Sequence, residues 1–462
     1  MKGKTSTPSD KRRQGRRVAL SYGLGGVTST MPMTLYSGYF ASFLTEFAGM
    51  NVTLIGVMSS LSALWDAIND PIIGRLADRT ETKRGKYRPW LFPSALVYGL
   101  IILLMFWIPD FGESGRIIYY AGLLFVSSIA STGFMVPWQS LNAVLTQDVN
   151  TRNHLLMFRM LFGTLAGTIV GVMLAPIVKA VDGGRMGYFT VAVIVVVTSV
   201  ICAGITSRGM RHKDTPGAIP TPPKTDFKGT LKVLTSKPVA CVAAMLGLVN
   251  LATNLLNGTN IYYFTYVVPN LMLISVTSLM SVAAGLIVVP AMPGLYKKIG
   301  RDKVLIIGCV LQMLSSVSVI IMRENISTVI IIVGSMLFVA GYTVSNMTIM
   351  SFVPDCSDWS ELHKGSANAA TVSSSVSFMR KVSSSISGAI VGIGMGLAGY
   401  VAGMTPTAKL ISGIINIRAI IPFILVVLTL VVLKIYPIKG EYEKNMRREL
   451  DALRREKSAS TI

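Results

Sequence analysis

The sequence is poor in charge. Only 14% of its 462 residues are Asp, Glu, Lys or Arg, whereas soluble domains carry roughly 25%. Hydrophobic residues make up 51%, and they form about twelve apolar runs of roughly 20 residues or more, the length that crosses a bilayer. This composition excludes a soluble globular domain and predicts an all-α integral membrane protein.

Histidine and cysteine are scarce as well, with three and four residues. His154, His212 and His363 form no cluster with metal-ligand spacing, and no motif of a serine or metal hydrolase appears in a suitable context. Three of the cysteines lie in apolar runs, so disulfides are not expected. We therefore expect neither an enzyme nor a cofactor other than a coupling cation.

Acidic residues are outnumbered, with 22 Asp and Glu against 43 Lys and Arg and a net charge of +21. Basic clusters occupy both tails and the segments 79–88, 208–228 and 297–303, whereas the alternate loops, such as Pro109-Asp110-Phe111, are short and nearly neutral. This alternation is the positive-inside pattern. It predicts two cytoplasmic termini and an even number of spans, and it argues against a nucleic-acid partner.

A polar, proline-rich interval from 208 to 236 divides the apolar runs about six and six. We interpret this interval as a cytoplasmic linker. The other predicted regions are a basic cytoplasmic tail (1–17), an N-terminal six-helix half (18–207), a C-terminal six-helix half (237–436) and a second cytoplasmic tail (437–462). Two related halves of this kind predict a major-facilitator fold, with a site near the bilayer midplane between the halves.

Two aspartates, Asp66 and Asp70, interrupt the second apolar run, within Leu64-Trp65-Asp66-Ala67-Ile68-Asn69-Asp70-Pro71. A charged carboxylate at that depth costs at least about 2.5–3.5 kcal/mol on insertion scales. The two residues are four apart and share one helical face, and like charges so close favour a bound cation or a shared proton. The pair therefore predicts an ion-coupled carrier.

The same run continues as Ile72-Ile73-Gly74 and is followed by Arg79-Thr80 and Arg84-Gly85-Lys86-Tyr87-Arg88-Pro89-Trp90. This pattern resembles the first signature of the glycoside–pentoside–hexuronide:cation symporters. Pro354-Asp355-Cys356-Ser357-Asp358-Trp359 with Lys364-Gly365 resembles their second signature. The resemblance covers essentially the whole chain. It implies a secondary transporter of the cell (inner) membrane that moves a sugar or glycoside together with Na⁺ or H⁺ by alternating access.

The resemblance also implies cation ligands at Asp66, Asn69 and Asp70, completed by Thr132 on the fourth span. Carboxylate, amide and hydroxyl oxygens suit a hard cation, and the two aspartates are the metal ligands if that cation is Na⁺. The alternative is a structural role in which one aspartate pairs with a nearby Arg or Lys. The sequence does not distinguish Na⁺, Li⁺ and H⁺.

Four charged residues at predicted cytoplasmic ends of spans are candidates for gating. Asp78 and Arg79 end the second span, Arg84 follows in the loop, and Asp355 closes the tenth span. At such positions a latch on the inward gate explains the charges better than contact with the substrate does.

Polar residues within other spans are candidates for binding sugar. Trp138, Gln139 and Asn142 lie on the fourth span, where an aromatic ring can cover a pyranose face and amides can bond hydroxyls. Packing explains the tryptophan equally well. Asn254 and Asn257 lie on the seventh span, where hydrogen bonds between helices are the alternative explanation.

Two cations lie within spans, Arg159 in the fifth and Lys381 in the eleventh, with Arg380 as the alternative to Lys381. The resemblance places functional residues at both positions, and an intramembrane cation needs a carboxylate, a polar substrate or water. Thr30 and Met135 occupy the positions of two sugar-binding carboxylates of the melibiose-carrying members. Because two negative charges are lost and two positive charges are kept, we predict an anionic sugar such as a uronide.

Two other functions remain open at this stage. A lysolipid carrier of the same fold should show an apolar lateral cleft instead of a cavity lined by Trp, Asn and Gln. A sugar sensor that does not transport should bind sugar and cation without counterflow in vesicles. The expected partners are a sugar or glycoside, the coupling cation and the lipid bilayer, and we expect a monomer.

Overall fold

The computed structural model describes residues 8–80, 82, 84–145, 149–181, 184–210, 235–321, 327–364 and 369–459. Apart from one isolated bridge between Thr82 and Gly85, the described residues form helices and the loops between them. The helices of the first half are α1 (Pro8–Leu35), α2 (Ala41–Glu46), α3 (Val52–Asp78), α4 (Arg88–Met105), α5 (Glu113–Leu145), α6 (Val149–Ala180) and α7 (Arg185–Gly209).

The second half contains nine helices among the described residues. They are α8 (Lys237–Gly258), the short α9 (Asn260–Tyr262), α10 (Met272–Ile299), α11 (Arg301–Ile321), α12 (Thr328–Lys364), α13 (Ala369–Leu397), α14 (Ala408–Ile415), α15 (Ile421–Ile435) and α16 (Gly440–Ala459). Three π-helical segments lie between the α-helices. Tyr36–Phe40 is in the first half, and Tyr263–Val267 and Asn416–Ile420 are in the second. Such segments change the direction of a helix and are frequent at functional sites.

Ten stretches of the described helices are long and apolar enough to cross a membrane. Two further helices, α1 and α13, have 28 and 29 residues but are more polar. The first begins in the basic tail, and the second is rich in serine and carries Arg380 and Lys381. The all-α membrane fold is confirmed, whereas twelve spans and cytoplasmic termini stay predictions.

The chain divides into two compact units. The first takes in Met1–Pro222, Pro269–Leu279 and Tyr400–Thr405, and the second takes in Pro223–Val268, Met280–Gly399 and Pro406–Ile462. Residues 211–234, most of the predicted linker, lie outside the described part of the chain. The predicted region boundaries therefore stay predictions.

In the first unit, α1 packs against α6 and α7. Its glycines permit a close approach of the helices. A Cβ atom at Gly25 would collide with the indole of Trp138, and one at Gly26 would lie 2.6 Å from the carbonyl oxygen of Arg159. Small residues drive helix association in membranes in this way, and here they bring α5 and α6 onto the same part of α1.

Helices α3 and α5 also pack against each other in the first unit, with a constant register. The hydroxyl of Ser62 donates to the carbonyl oxygen of Leu124 at 3.2 Å, a separation of 62 residues. Three turns further on, Gly74 faces Val136 with the same separation, so the two helices run parallel. We call this contact the α3–α5 seam. Its members are Ser62, Asp66, Asp70 and Gly74 of α3 and Leu124, Ser128, Thr132 and Val136 of α5.

In the second unit, α11 packs on α12, and α8 packs against α13 and α15. The helix that follows the last apolar stretch, α16, is amphipathic and packs against α12. Met446 and Leu450 form its buried face. The described part of the C-terminal tail is therefore attached to the bundle through apolar contacts.

Candidate functional site

The middle of the α3–α5 seam brings the two aspartates to two hydroxyl groups. Ser128 Oγ donates to Asp66 Oδ1 at 2.8 Å. Thr132 Oγ1 lies 3.2 Å from Asp66 Oδ1 and 2.9 Å from Asp70 Oδ1. Ser128 and Thr132 are buried, while both aspartates are half-buried. Three of the four predicted cation ligands, Asp66, Asp70 and Thr132, therefore lie in direct contact.

The hydroxyl of Thr132 cannot satisfy both carboxylates at once. A hydroxyl has one hydrogen to donate and two lone pairs, yet Thr132 Oγ1 is within hydrogen-bond distance of an oxygen from each aspartate. The second contact becomes favourable when one carboxyl group carries a proton or when a cation lies between the oxygens. This arrangement suits the binding of H⁺ or of a small cation that prefers oxygen ligands.

Asn69, the fourth predicted ligand, lies one helical turn from Asp66 and is only 3% exposed. Among the described residues its Nδ2 atom has no hydrogen-bond partner. Buried amide groups are almost always satisfied, so this NH2 group has capacity for one more acceptor, whereas a cation would be ligated by Oδ1 of the same amide. The described residues contain no group of three or more His, Cys, Asp or Glu that could hold a metal, and the seam offers two carboxylates with hydroxyl and amide oxygens instead.

Trp138 is fully buried on a different face of α5 from the seam, where it packs against α1. Its Nε1 donates to the carbonyl oxygen of Tyr22 at 3.1 Å, and its ring stacks with Tyr22 at 5.3 Å and with Phe134 at 5.8 Å between centroids. The guanidinium of Arg159 lies over the indole, 4.7 Å from the ring centroid. This environment favours the packing explanation for Trp138. The indole also orients the guanidinium of Arg159 through the cation–π contact.

Arg159 is half-buried on α6, and within the described part of the chain no carboxylate forms an ion pair with it. The cation–π contact with Trp138 contributes about 0.5–2 kcal/mol but uses none of the five N–H donors. Thr30, a predicted substrate-binding residue, faces Gly163, one turn beyond Arg159. Arg159 is therefore suited to binding a planar carboxylate.

The remaining predicted residues of the first unit are more exposed or lie outside the description. Gln139 is exposed on α5, and the side chain of Asn142 is not among those described. The same is true of the Asp78 side chain, whereas Arg79 and Arg84 are exposed at and after the end of α3. Their gating role stays a prediction.

In the second unit, Asn254 is half-buried and Asn257 is exposed on α8. Lys381 is half-buried on α13. Its neighbour Arg380 is exposed and donates from Nη2 to Oδ1 of Asn346 at 3.1 Å. The roles of Asn254, Asn257 and Lys381 in substrate binding stay predictions.

Asp355, predicted to act in gating, lies in an ionic network of the second unit. Its Oδ2 is 2.7 Å from Nη2 of Arg301, and the same nitrogen is 2.7 Å from Oε1 of Glu443 on α16. Arg301 also donates from Nη1 to the carbonyl oxygen of Ser351 at 2.8 Å. One guanidinium thus joins the start of α11, the end region of α12 and the tail helix.

Two residues that the sequence reasoning missed stand out. Ser128 lies four residues before Thr132, so helical spacing alone could have placed it on the same face. Arg418, in the last π-helical segment, is buried and donates to the carbonyl oxygen of Leu256 and to Oδ1 of Asn260, each at 3.0 Å. The carbonyl belongs to the C-terminal turns of α8, where a cation is favoured by the helix dipole.

The fold is that of a secondary transporter of the major-facilitator class. The crystal structure of the nucleoside transporter NupG aligns with a TM-score of 0.65 over 90% of this chain and 99% of its own, at 13% identity, which shows the fold alone. At the level of sequence, the profile described as MFS/sugar transport protein matches residues 21–440, and the chain belongs to this family.

Curated relatives extend the match to nearly the full length. A glucuronide carrier protein homolog of Escherichia coli (strain K12) is 24% identical over 94% of this chain and 95% of its own length. The isoprimeverose transporter of Lactiplantibacillus pentosus is 23% identical over 85% and 83%. The predicted membership of the glycoside–pentoside–hexuronide:cation symporters is confirmed. The protein is a multi-pass membrane transporter that couples a sugar or glycoside to a cation, and it is not an enzyme.

Proposed function

We propose that the protein carries an anionic sugar of the hexuronide class together with one Na⁺ or H⁺ bound in the α3–α5 seam. The observation that carries the cation site is the Thr132 hydroxyl, which contacts an oxygen of both Asp66 and Asp70. Asn69 adds a buried amide, and Ser128 adds a second hydroxyl on Asp66. Together they form an oxygen-rich site on two helices held in fixed register.

The substrate proposal rests on Arg159. Its guanidinium is held over Trp138, so the donor fork is presented in one orientation, which lowers the entropy lost on binding a carboxylate. The two relatives above are named as a glucuronide carrier protein homolog and an isoprimeverose transporter, so their names do not decide between an anionic and a neutral sugar. The charges of this chain favour the anion, because Thr30 and Met135 stand where the melibiose-carrying members have carboxylates.

The charge of the substrate decides what drives uptake. One cation that moves inward through 100 mV releases about 2.3 kcal/mol, which can concentrate a neutral sugar by roughly 50-fold at about 1.4 kcal/mol per decade. A monoanion that moves with one cation makes the cycle electroneutral. The membrane potential then contributes nothing, and the cation gradient alone drives accumulation.

Uptake into proteoliposomes tests both parts of the proposal. Glucuronide, galacturonide, a neutral glucoside and a neutral pentoside are offered with a Na⁺ gradient, a proton gradient or neither, and with the potential clamped at zero or at 100 mV inside negative. We expect uronide uptake that follows one cation gradient and does not respond to the potential. Uptake of neutral glycosides with uronides ignored would overturn the substrate assignment, and uptake independent of both gradients would overturn the coupling.

A further inference from the structure

A groove in the first unit lies outside the seam. It is formed where α3 and α4 flank α5, and it encloses about 480 Å³. Its floor is the segment 126–133 of α5, and its walls include Ile73 of α3 and Val97 of α4. Only two of its lining residues, Thr80 and Ser94, are polar. Water in such a groove would find few hydrogen-bond partners, whereas a hydrocarbon chain would bury apolar surface.

The mouth of the groove is apolar and accessible. Val97, Val126 and Ile129 line the groove and have 47%, 47% and 40% of their surface exposed. Exposed branched side chains on membrane-spanning helices are the surface that lipid tails contact. The groove therefore opens where an acyl chain can enter it from the side.

The groove ends at the predicted cytoplasmic side, where the last turn of α3 and the first turn of α4 meet. Trp90 lines it there and donates from Nε1 to Oγ1 of Thr80 at 3.0 Å. Thr80 in turn donates to the carbonyl oxygen of Leu76 at 2.9 Å. This hydrogen-bonded pair fixes an indole at the depth where tryptophan meets lipid head groups.

The chain around this end is strongly basic. Between residues 75 and 88 the sequence has six basic residues and two acidic ones. Arg88 is turned towards α7, where its Nε donates to the carbonyl oxygen of Ser207 at 2.6 Å. Arg79, which precedes Thr80, and Arg84, whose backbone N–H donates to Oγ1 of Thr82 at 3.2 Å, are exposed. Two exposed arginines thus lie in the chain segment between the groove-lining residues Thr80 and Pro89 or directly before it.

We propose that this groove binds an anionic phospholipid, with one acyl chain over the floor of α5 and the phosphate held by Arg79 and Arg84. The groove accounts for the apolar part of such a ligand, and the two arginines account for its charge, because guanidinium groups bind phosphate oxygens in pairs. The lipid is proposed here as a bound partner and not as the transported substrate, because the family shows a sugar or glycoside as the substrate. It bears on transport because the same stretch of α5 carries Ser128 and Thr132 of the seam.

Fluorescence quenching in lipid vesicles tests this binding site with the full-length protein. Vesicles of phosphatidylcholine contain a minor fraction of either phosphatidylglycerol or phosphatidylcholine with brominated acyl chains. The difference between the wild type and Trp90→Phe isolates the signal of Trp90 from the other four tryptophans. We expect brominated phosphatidylglycerol to quench Trp90 at a several-fold lower fraction than brominated phosphatidylcholine does. Equal quenching by the two lipids would overturn the proposal.

Two variants separate the head group from the groove. Arg79→Gln with Arg84→Gln should reduce the preference for the anionic lipid by about fivefold per arginine while leaving quenching by phosphatidylcholine unchanged. Ile129→Phe narrows the groove and should reduce quenching of Trp90 by both lipids. Ile201→Phe, on an exposed apolar position of α7, is the control and should change neither. A preference that survives in the double arginine variant would also overturn the proposal.

Discussion

Two groups of carboxylates in the described part of the chain contact chemically different side chains. In the α3–α5 seam of the first unit, Asp66 and Asp70 contact the hydroxyls of Ser128 and Thr132. In the second unit, Asp355 contacts the guanidinium of Arg301 at 2.7 Å. Both arrangements place acidic side chains in helices of a membrane bundle, yet the chemistry of the partners differs.

On our proposal, this difference in partner chemistry separates carboxylates that exchange a cation from carboxylates that keep one. A hydroxyl donates to a carboxylate in one state and turns its lone pairs to a cation in another, without moving its oxygen. A guanidinium has donors only and carries a permanent charge, so Arg301 supplies a fixed countercharge. We infer that the seam binds and releases a cation during transport, whereas the ion pairs of Arg301 are permanent and stabilise the fold.

The largest expected effect is the loss of coupling when a seam carboxylate is neutralised. In proteoliposomes with a cation gradient of about 50-fold, Asp66→Asn and Asp70→Asn should lower substrate accumulation from roughly 50-fold to about onefold. In an electroneutral one-to-one cycle the cation gradient supplies all of the driving free energy, about 1.4 kcal/mol per decade, and it can do so only through a bound cation. Counterflow of sugar should persist at a reduced rate. Asp110→Asn, at an exposed loop position, is the matched control. Full accumulation in both seam variants would show that Asp66 and Asp70 do not bind the driving cation, and the proposed difference between the seam and the Arg301 network would be wrong.

The network of the second unit should respond in stability instead. Arg301→Gln leaves the carboxylate of Asp355 buried without its cation, which costs about 3–5 kcal/mol. We expect a clearly lower melting temperature in detergent and an unchanged cation dependence in the fraction that remains folded. Lys303→Gln, on the exposed face of the same helix, should melt like the wild type. A shifted cation dependence in Arg301→Gln would make this network part of the coupling machinery.

Ser128 should have a smaller effect that is specific to the cation. In the loaded state we propose that the hydroxyl oxygen of Ser128 turns from donating to Asp66 to ligating the cation. Ser128→Ala removes that ligand oxygen, so it should raise the cation concentration for half-maximal uptake by about tenfold, which is about 1.4 kcal/mol. Ser127→Ala is a close control, since Ser127 is buried on the same helix but donates to the carbonyl oxygen of Leu124. If both variants shift the half-maximal concentration equally, the effect belongs to the helix and not to the seam.

The smallest expected effect is at the tail helix. Glu443→Gln removes one of the two carboxylates on Arg301 but leaves the pair with Asp355. Because Glu443 is only partly buried, with 23% of its side chain exposed, and Arg301 keeps its contact with Asp355, the loss should be about 1 kcal/mol, seen as a shift of at most a few degrees in thermal unfolding. A loss as large as that of Arg301→Gln would show that the tail helix, rather than Asp355, is what Arg301 stabilises.

Much of the first unit could be predicted from the sequence because the cost of charge in a membrane is large and local. Asp66, Asn69 and Asp70 are recognisable at once in an apolar run, and helical spacing puts them on one face. The register between α3 and α5 could not be predicted, because it depends on how whole helices pack. Helical spacing from Thr132 could have placed Ser128 on the same face, but its contact with Asp66 depends on that register.

The role of Trp138 also depends on packing that the sequence does not reveal. Its residue type suits both sugar stacking and packing, and only the position of its neighbours decides. Gly25 leaves the space that the indole fills, and Tyr22, Phe134 and Arg159 surround it. Arg418 was missed because the sequence reasoning looked for intramembrane cations beside carboxylates, whereas Arg418 is held by a helix end and an amide.

The central claim is that the driving cation binds at the hydroxyl shared by Asp66 and Asp70. The most direct test is the sugar affinity of purified wild-type protein and Thr132→Val, measured by equilibrium binding over a range of Na⁺ concentration and of pH. We expect Thr132→Val to need at least about tenfold more of the coupling cation for its half-maximal effect, with the same sugar affinity at saturating cation. An unchanged half-maximal concentration, with Thr132→Val indistinguishable from Ser127→Ala, would contradict the account.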